Sequence, residues 1–238
     1  MLQNEKEKLL RKDILDVIQY GLPESFEDRV LYNTKFELKP RDFLLLAEQS
    51  IFFTPKKDLI NGVSNLKRAI DCSLDSFFNS LGILTKIKKR RVSVSDKMEF
   101  IGNLANFTPQ SIKRLNKTRN QLEHDFKRPK IAEAEVYYDL VFALVLVIEN
   151  LCFMHTEMNF DDGSSIFTSQ YDVHTGTILF SKIQPDDNKE KNLGYSFQIG
   201  LNDGIPLFML GLKCHRALSL LTDKIFTIEE AKKYLELT

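Results

Sequence analysis

The sequence predicts an α+β protein, in which a helical bundle is followed by a small antiparallel β-sheet and a terminal helix. Between residues 40 and 155, apolar residues recur at intervals of three and four, as on the buried face of a helix. After residue 156, β-rich runs alternate with turn residues, as in a series of hairpins. These patterns predict three segments: residues 1–39 (an amino-terminal helix and arm), 40–155 (the bundle) and 156–238 (the sheet region with a final helix).

The composition is typical of a globular protein. Of 238 residues, 43% are hydrophobic, and 33 Lys+Arg balance 33 Asp+Glu, so any RNA binding requires a local basic patch. The three cysteines include no CxxC pair, which favours buried, reduced thiols and no metal site. The charged amino terminus and the lack of a membrane-length apolar run predict a cytoplasmic protein with no membrane contact. The sequence has no phosphate-binding glycine loop, HExxH motif or paired-cysteine site, so no cofactor is expected.

The first segments predict helices separated by breaks. Residues 5–20 form an amphipathic helix that ends at Gly21, and Arg29–Leu38 is either a strand or an irregular arm. Pro40 opens a second helix through Phe52, and a long third helix covers residues 59–81, with Gly82 in the usual position after its end.

The second half of the bundle contains most of the candidate functional residues. A basic loop, Lys86–Arg91, precedes a short helix over about 96–106. Thr108-Pro109 is a good helix start, and the helix that follows to Phe126 is called the motif helix. Arg128-Pro129 ends it, and a strongly apolar helix over about 131–155 is expected to be covered on most sides, by its own domain or by a partner subunit.

Turn residues at 161–163, 174–176 and 202–204 divide the carboxy-terminal segment. The runs between and after them predict a sheet of three to five strands: SIFTSQYDV, TILFSKI, LGYSFQIGL and IPLFMLGLKC. Residues 185–191 form a solvated loop. Thr227 and Glu230 make a capping box that begins the final helix.

On a helical wheel the motif helix has two faces. One is an apolar stripe, and the other is cationic and hydrogen-bonding, with the members Lys113, Lys117, Asn120, His124 and Lys127. Arg119 falls within the apolar stripe, where it requires an acid, a carbonyl group or a subunit boundary. Two alternatives stay open: Arg119 pairs with Glu123 while His124 is solvated, or Arg119 and His124 form a site. A histidine moves protons near neutral pH, and a guanidinium stabilises charge on phosphorus.

Over roughly residues 40–155, the chain resembles the HEPN superfamily, the helical domains of many RNA-cleaving toxins and defence proteins. Arg119-Asn120 followed by His124 resembles the family's arginine–polar–histidine motif, and LNKTRNQLEHDF resembles its penultimate helix. The long helix before it and the apolar helix after it occupy the positions that this fold would give them. The fold class is therefore refined to an HEPN-like bundle with an appended sheet.

The resemblance implies a metal-independent endoribonuclease with a composite site between two identical subunits. His124 would serve as general acid or base, Arg119 would bind the phosphate, and Asn120 would orient either group. The products would be a 2′,3′-cyclic phosphate and a 5′-hydroxyl. The implied role is that of a toxin or antiviral-defence effector, with an antitoxin or regulatory partner. Some family toxins carry a tyrosine two residues after the histidine, which a partner modifies with AMP. This chain has Phe126 there, in the apolar stripe, so the resemblance does not imply that route of silencing, and Phe126 is interpreted as a core residue.

For several other residues, a functional interpretation and a purely structural interpretation both stay open. Lys88, Lys89, Arg90 and Arg91 either follow an RNA backbone or form a solvated loop. Lys67-Arg68 with Asp71 either lines the same cleft or makes a surface ion pair. His155, His174 and His215 are predicted to be structural or exposed, with His215 at a strand end. The alternative to a nuclease is a catalytically silent HEPN-like scaffold or ligand-sensing module.

Overall fold

The computed structural model describes residues 1–27, 35–53, 58–106, 131–185 and 191–236. Within these ranges the chain forms α-helices and a five-stranded antiparallel sheet, so the predicted α+β class is confirmed. The chain divides into two compact units: residues 31–152, called the helical unit, and residues 1–30 with 153–238, called the sheet unit. None of the described helices is both long and apolar enough to cross a membrane.

The helical unit contains five described α-helices. They are α2 (Pro40–Glu48), which continues into a π-helical turn (Gln49–Phe53), α3 (Leu59–Ser80), α4 (Leu84–Lys89), α5 (Val94–Leu104) and α6 (Ile131–Leu151). The predicted motif helix lies outside the described residues.

The long helix α3 is the centre of the helical unit. Asp58 caps its amino terminus by accepting a hydrogen bond from the Asn61 backbone N–H at 3.2 Å. Gly82, with a φ of 67°, follows its end as the sequence predicts. Its apolar stripe is buried, α2 and α6 contact it, and the stripe's fully buried side chains include Leu66, Leu74 and Phe77.

Helix α6 is less covered than its apolar sequence predicts. Tyr137, Val141 and Ile148 are buried, whereas Phe142 and Leu146 keep 42% and 41% of their surface exposed. The expectation that its own domain covers it on most sides is therefore only partly met, and a strip of apolar surface is left on this helix.

Replacing Gly62 with alanine should destabilise the helical unit by about 1–2 kcal/mol, although alanine is the better helix former. A Cβ at this position would lie 2.5 Å from Cγ1 of Ile51, which is fully buried. Urea unfolding measures the effect, with Ser64→Ala on the exposed side of α3 as the control. In an Ile51→Ala background the same change should become neutral or stabilising, and an unchanged loss there would contradict the steric explanation.

The described part of the sheet unit contains α1 (Gln3–Tyr20), five strands and two carboxy-terminal helices. The strands are β1 (Leu22–Phe26), β2 (Glu157–Asp161), β3 (Ile166–Asp172), β4 (Thr177–Pro185) and β5 (Lys191–Gly200), and they pair in this order, all antiparallel. A short 3₁₀ turn (Leu201–Asp203) leads to α7 (Ile205–Thr222), and α8 (Ile228–Leu235) follows. The predicted strands SIFTSQYDV, TILFSKI and LGYSFQIGL are thus confirmed.

Burial alternates along the strands, as expected when one face of a sheet lies on a core. In β3, Phe167, Ser169 and Tyr171 are buried and their neighbours are partly exposed, and β3 contacts α7. The Thr227 hydroxyl accepts a hydrogen bond from the Glu230 N–H at 3.3 Å, so the predicted capping box at the start of α8 is confirmed.

The prediction of a strand at IPLFMLGLKC was wrong, because these residues begin α7. Gly204, at a φ of 96°, precedes the helix, and Pro206 occupies its first turn. The helix is buried on most sides, so its sequence has no polar face to reveal a period of 3.6, and a short apolar run then resembles a buried strand. His215 therefore lies within a helix and not at a strand end.

The amino-terminal helix packs in the sheet unit and not in a segment of its own. It contacts α7 and α8, its Lys6 Nζ lies 2.6 Å from the Asp203 carboxylate, and its buried Asp13 accepts a hydrogen bond from the Tyr195 hydroxyl. The strand that follows is β1 at Leu22–Phe26, earlier than the predicted arm at Arg29–Leu38, of which residues 29–34 lie outside the described residues.

Candidate functional site

The described residues include only part of the predicted site. Lys88, Lys89, Arg90 and Arg91 are described, and Lys88 pairs with Asp75 on α3. The motif-helix residues lie outside the described ranges: Lys113, Lys117, Arg119, Asn120, His124 and Lys127.

The basic segment is mostly helical, so the predicted loop at Lys86–Arg91 was wrong. Buried Ile87 anchors α4, which ends where the Arg90 N–H donates to the Lys86 carbonyl at 3.1 Å. Arg91 then adopts a φ of 52°, a left-handed conformation that reverses the chain. Lys88, Lys89, Arg90 and Arg91 are all exposed, which makes one compact cationic surface.

Asp75 on α3 connects this surface to the body of the unit. Its carboxylate lies 3.0 Å from Lys88 Nζ and 2.7 Å from Lys97 Nζ. Burial opposes ionisation of Asp75, but hydrogen bonds from the two lysines outweigh it and hold the pKa of the carboxyl below its usual value. Asp75 is thus ionised at neutral pH and positions Lys88.

A shallow, largely solvent-open cavity of about 470 Å³ lies along the same face of α3. Arg68, Asp71, Cys72 and Asp75 form one wall, at helical positions i, i+3, i+4 and i+7. Residues from the preceding arm and from α2 form the rest: Phe36, Glu37, Leu38 and Phe43. The sequence indicated Arg68 and Asp71 as a cleft lining or an ion pair, and it missed the apolar wall, because only folding brings the arm against α3.

Cys72 corrects the expectation that all three thiols are buried. Cys152 and Cys214 are buried, but Cys72 is partly exposed, with its Sγ 3.4 Å from the Leu38 carbonyl oxygen. Burial is the main reason that the pKa of Cys72 is raised, so the group is a neutral thiol near pH 7 and a poor nucleophile.

Two of the other histidines are structural, as predicted. The His155 ring lies 3.2 Å from the Glu27 carbonyl and 3.1 Å from the Asp223 carboxylate. His215 is fully buried, with its ring nitrogens 2.8 Å from the Ser169 hydroxyl and 2.7 Å from the His155 carbonyl. The Ser169–His215 pair does not form a catalytic dyad, because both side chains are inaccessible to a substrate. His174 is exposed in the β3–β4 turn.

The part of the chain that the structure describes contains no group of three or more histidine, cysteine or acidic side chains arranged to hold a metal ion. No protein-family model, curated protein or solved structure matches the chain.

Proposed function

We propose that the chain is a metal-independent endoribonuclease of the HEPN type, with Arg119 and His124 forming a composite site between two copies. The observation that carries the proposal is the sequence Arg119-Asn120 with His124. His155 and His215 occupy buried structural positions and His174 lies in an exposed turn, which leaves His124 as the histidine best suited to acid–base chemistry.

The surroundings of this sequence support the proposal. The helices before and after residues 107–130 belong to one compact unit, as an HEPN-like bundle requires. The exposed apolar side chains on α2 and α6, among them Leu45, Leu46, Phe142 and Leu146, suit a subunit contact. The exposed cations at Lys88–Arg91 suit a polyanionic substrate.

In the proposed reaction, the 2′-hydroxyl oxygen attacks the adjacent phosphorus and the bond from phosphorus to the 5′-oxygen breaks. His124 takes the hydroxyl proton or supplies a proton to the leaving oxygen. Arg119 stabilises the added negative charge on phosphorus, and Asn120 orients the histidine or a phosphate oxygen. The products are a 2′,3′-cyclic phosphate and a 5′-hydroxyl.

Single-stranded RNA should be cut in the presence of EDTA, whereas a DNA of the same sequence should stay intact, because the nucleophile is the 2′-hydroxyl. Gel electrophoresis measures cleavage, and mass spectrometry of the fragments identifies the cyclic phosphate. An RNA with one 2′-deoxy residue at the cut position is the matched control. Cleavage of the DNA, or fragments with a 5′-phosphate, would contradict the mechanism.

Replacing Lys89, Arg90 and Arg91 with glutamine should weaken RNA binding and make it less dependent on salt. The slope of log affinity against log salt should fall by about one unit for each phosphate that the variant no longer neutralises. Filter binding at several salt concentrations measures this slope. Lys8→Gln, an exposed substitution on α1, is the control. An unchanged salt slope in the triple variant would show that the segment is only a solvated surface.

In this proposal the protein works as a cytoplasmic homodimer, as a toxin or antiviral-defence effector under an antitoxin or regulatory partner. A catalytically silent HEPN-like module that binds a ligand is the second candidate function. The cavity beside α3 is the observation that favours it.

A further inference from the structure

The cavity beside α3 has the size of a small-molecule site. Its volume of about 470 Å³ lies within the range of about 300–1,000 Å³ typical of ligand pockets. The whole lining belongs to the helical unit, and Asp75 is shared between the cavity and the basic segment.

One side of the cavity is apolar and aromatic. Phe36, Leu38 and Phe43 contribute two phenyl rings and an isobutyl group, all at least partly exposed. Leu38 keeps 50% of its surface exposed, although its carbonyl oxygen is held against Cys72. A planar aromatic ligand would recover this apolar surface by stacking.

Cations lie at both ends of the α3 wall. At one end is Arg68, which is exposed. At the other end, about 10 Å away along the helix axis, is Asp75 with its partner Lys88. Lys88, 3.0 Å from Asp75, keeps 55% of its side chain exposed, so its ammonium group can reach a ligand phosphate as well as the carboxylate. Because Lys88 and Lys97 together neutralise Asp75, that end of the cavity does not repel an anion.

The acidic members of the lining suit a ligand with N–H donors. Asp71 lies on α3 between Arg68 and Asp75, Glu37 is a second carboxylate of the lining, and each carboxylate has about four acceptor sites. An exocyclic amino group on an aromatic base supplies such a donor, whereas a carbonyl group at the same position would face another acceptor.

We propose that this cavity binds one nucleotide whose base carries an exocyclic amino group, with the base against Phe36 and Phe43 and the phosphate on Arg68 or Lys88. The nucleotide is either a free mononucleotide or one residue of an RNA chain. In the second case the inference rests on the proposed nuclease function and gives it a base preference.

Isothermal titration of the full chain with matched mononucleotides tests the base preference. AMP should bind about tenfold more tightly than IMP, and CMP about tenfold more tightly than UMP, because each pair exchanges an exocyclic amino donor for a carbonyl acceptor, while IMP and UMP gain an N–H only at the neighbouring ring nitrogen. Phe43→Leu should weaken binding about fivefold or more by removing a stacking ring, and Arg68→Gln should weaken it about tenfold. Asp71→Asn should reduce the preference for the amino-bearing base. Arg11→Gln, an exposed arginine of the sheet unit, is the control.

A second arm uses short oligoadenylate and oligouridylate with the His124→Ala protein, which should not cut them. Binding of mononucleotides would identify a free ligand, and binding of oligomers alone would identify an RNA residue. Either result supports the proposed site if Phe43→Leu and Arg68→Gln weaken the binding. The site would be refuted if neither ligand bound, if the two cavity variants bound as the wild type does, or if the amino group made no difference.

This outcome is separable from that of the nuclease. If nucleotides bound at the cavity but the protein did not cut RNA, the nuclease proposal would be refuted and the nucleotide site would be supported. If the protein cut RNA with no base preference and the cavity variants cut it equally well, the nucleotide site would be refuted and the nuclease proposal would be supported.

Discussion

Replacing His124 with alanine should lower kcat/KM for RNA cleavage by about 10²- to 10⁴-fold, the usual contribution of a general acid or base. The affinity for uncleaved RNA should change much less, because proton transfer belongs to the transition state and not to ground-state binding. Initial rates on a fluorophore–quencher RNA in EDTA measure the first effect, and filter binding to a 2′-O-methyl RNA measures the second.

The matched control is His174→Ala, which removes an exposed histidine from a turn of the sheet unit. It should keep the wild-type rate. If His124→Ala and His174→Ala retained equal activity, the composite site would be wrong, and the silent binding module would become the better description.

Lowering the pH from about 7 to about 5 should destabilise the sheet unit by about 2 kcal/mol through His215 alone. Burial lowers the pKa of this histidine to about 4, against an ordinary value of 6.5. The neutral ring suits its site, because Nε2–H can donate to the His155 carbonyl while Nδ1 accepts from the Ser169 hydroxyl. The folded-state pKa is depressed, so this stability is present above about pH 6.5 and is lost as the pH falls toward about 4.

Hydrogen exchange of the β3 and α7 amides, corrected for intrinsic rates, measures this loss locally. His215→Gln removes the titrating group and should flatten the pH dependence between about pH 7 and pH 5, at the cost of lower stability at pH 7. His174→Ala should leave the wild-type profile unchanged. A glutamine variant with the full wild-type pH dependence would show that another group is responsible.

The two histidine experiments use the same control for different reasons. His124 is proposed to act on a substrate, so its removal should change rate and leave folding intact. His215 stabilises the sheet unit, so its removal should change stability first. A variant of His215 that lost activity without losing stability would require a revised assignment of the histidines.

Local patterns in the sequence predicted much of the secondary structure. Helix α3 was predicted to within a residue, because its stripe from Leu59 to Leu81 has a clear helical period and Gly82 marks its end. The β3, β4 and β5 runs were also predicted, since alternation and turn residues are local signals. Helix α7 was missed because a helix that is buried on most sides has no polar face to show its period.

The candidate site divides in the same way. Arg119, Asn120 and His124 are close in sequence, so their spacing on a helix can be proposed without a structure. The cavity could not be proposed from the sequence, because Phe36 and Leu38 are more than thirty residues from Cys72 along the chain and meet it only after folding. Likewise, nothing local links Lys88 and Lys97 to Asp75.

The sequence by itself determined the α+β class, the bounds of the long helix, the hairpin order of β3 to β5 and the motif around His124. Each of these depends on residues that are close to one another in the sequence. Only the tertiary structure decided that the amino-terminal helix belongs with the sheet, that His155 and His215 are internal, and that α3 borders a cavity. The physical reason is that burial and long-range hydrogen bonds depend on which surfaces meet, and no local period in a sequence encodes that choice.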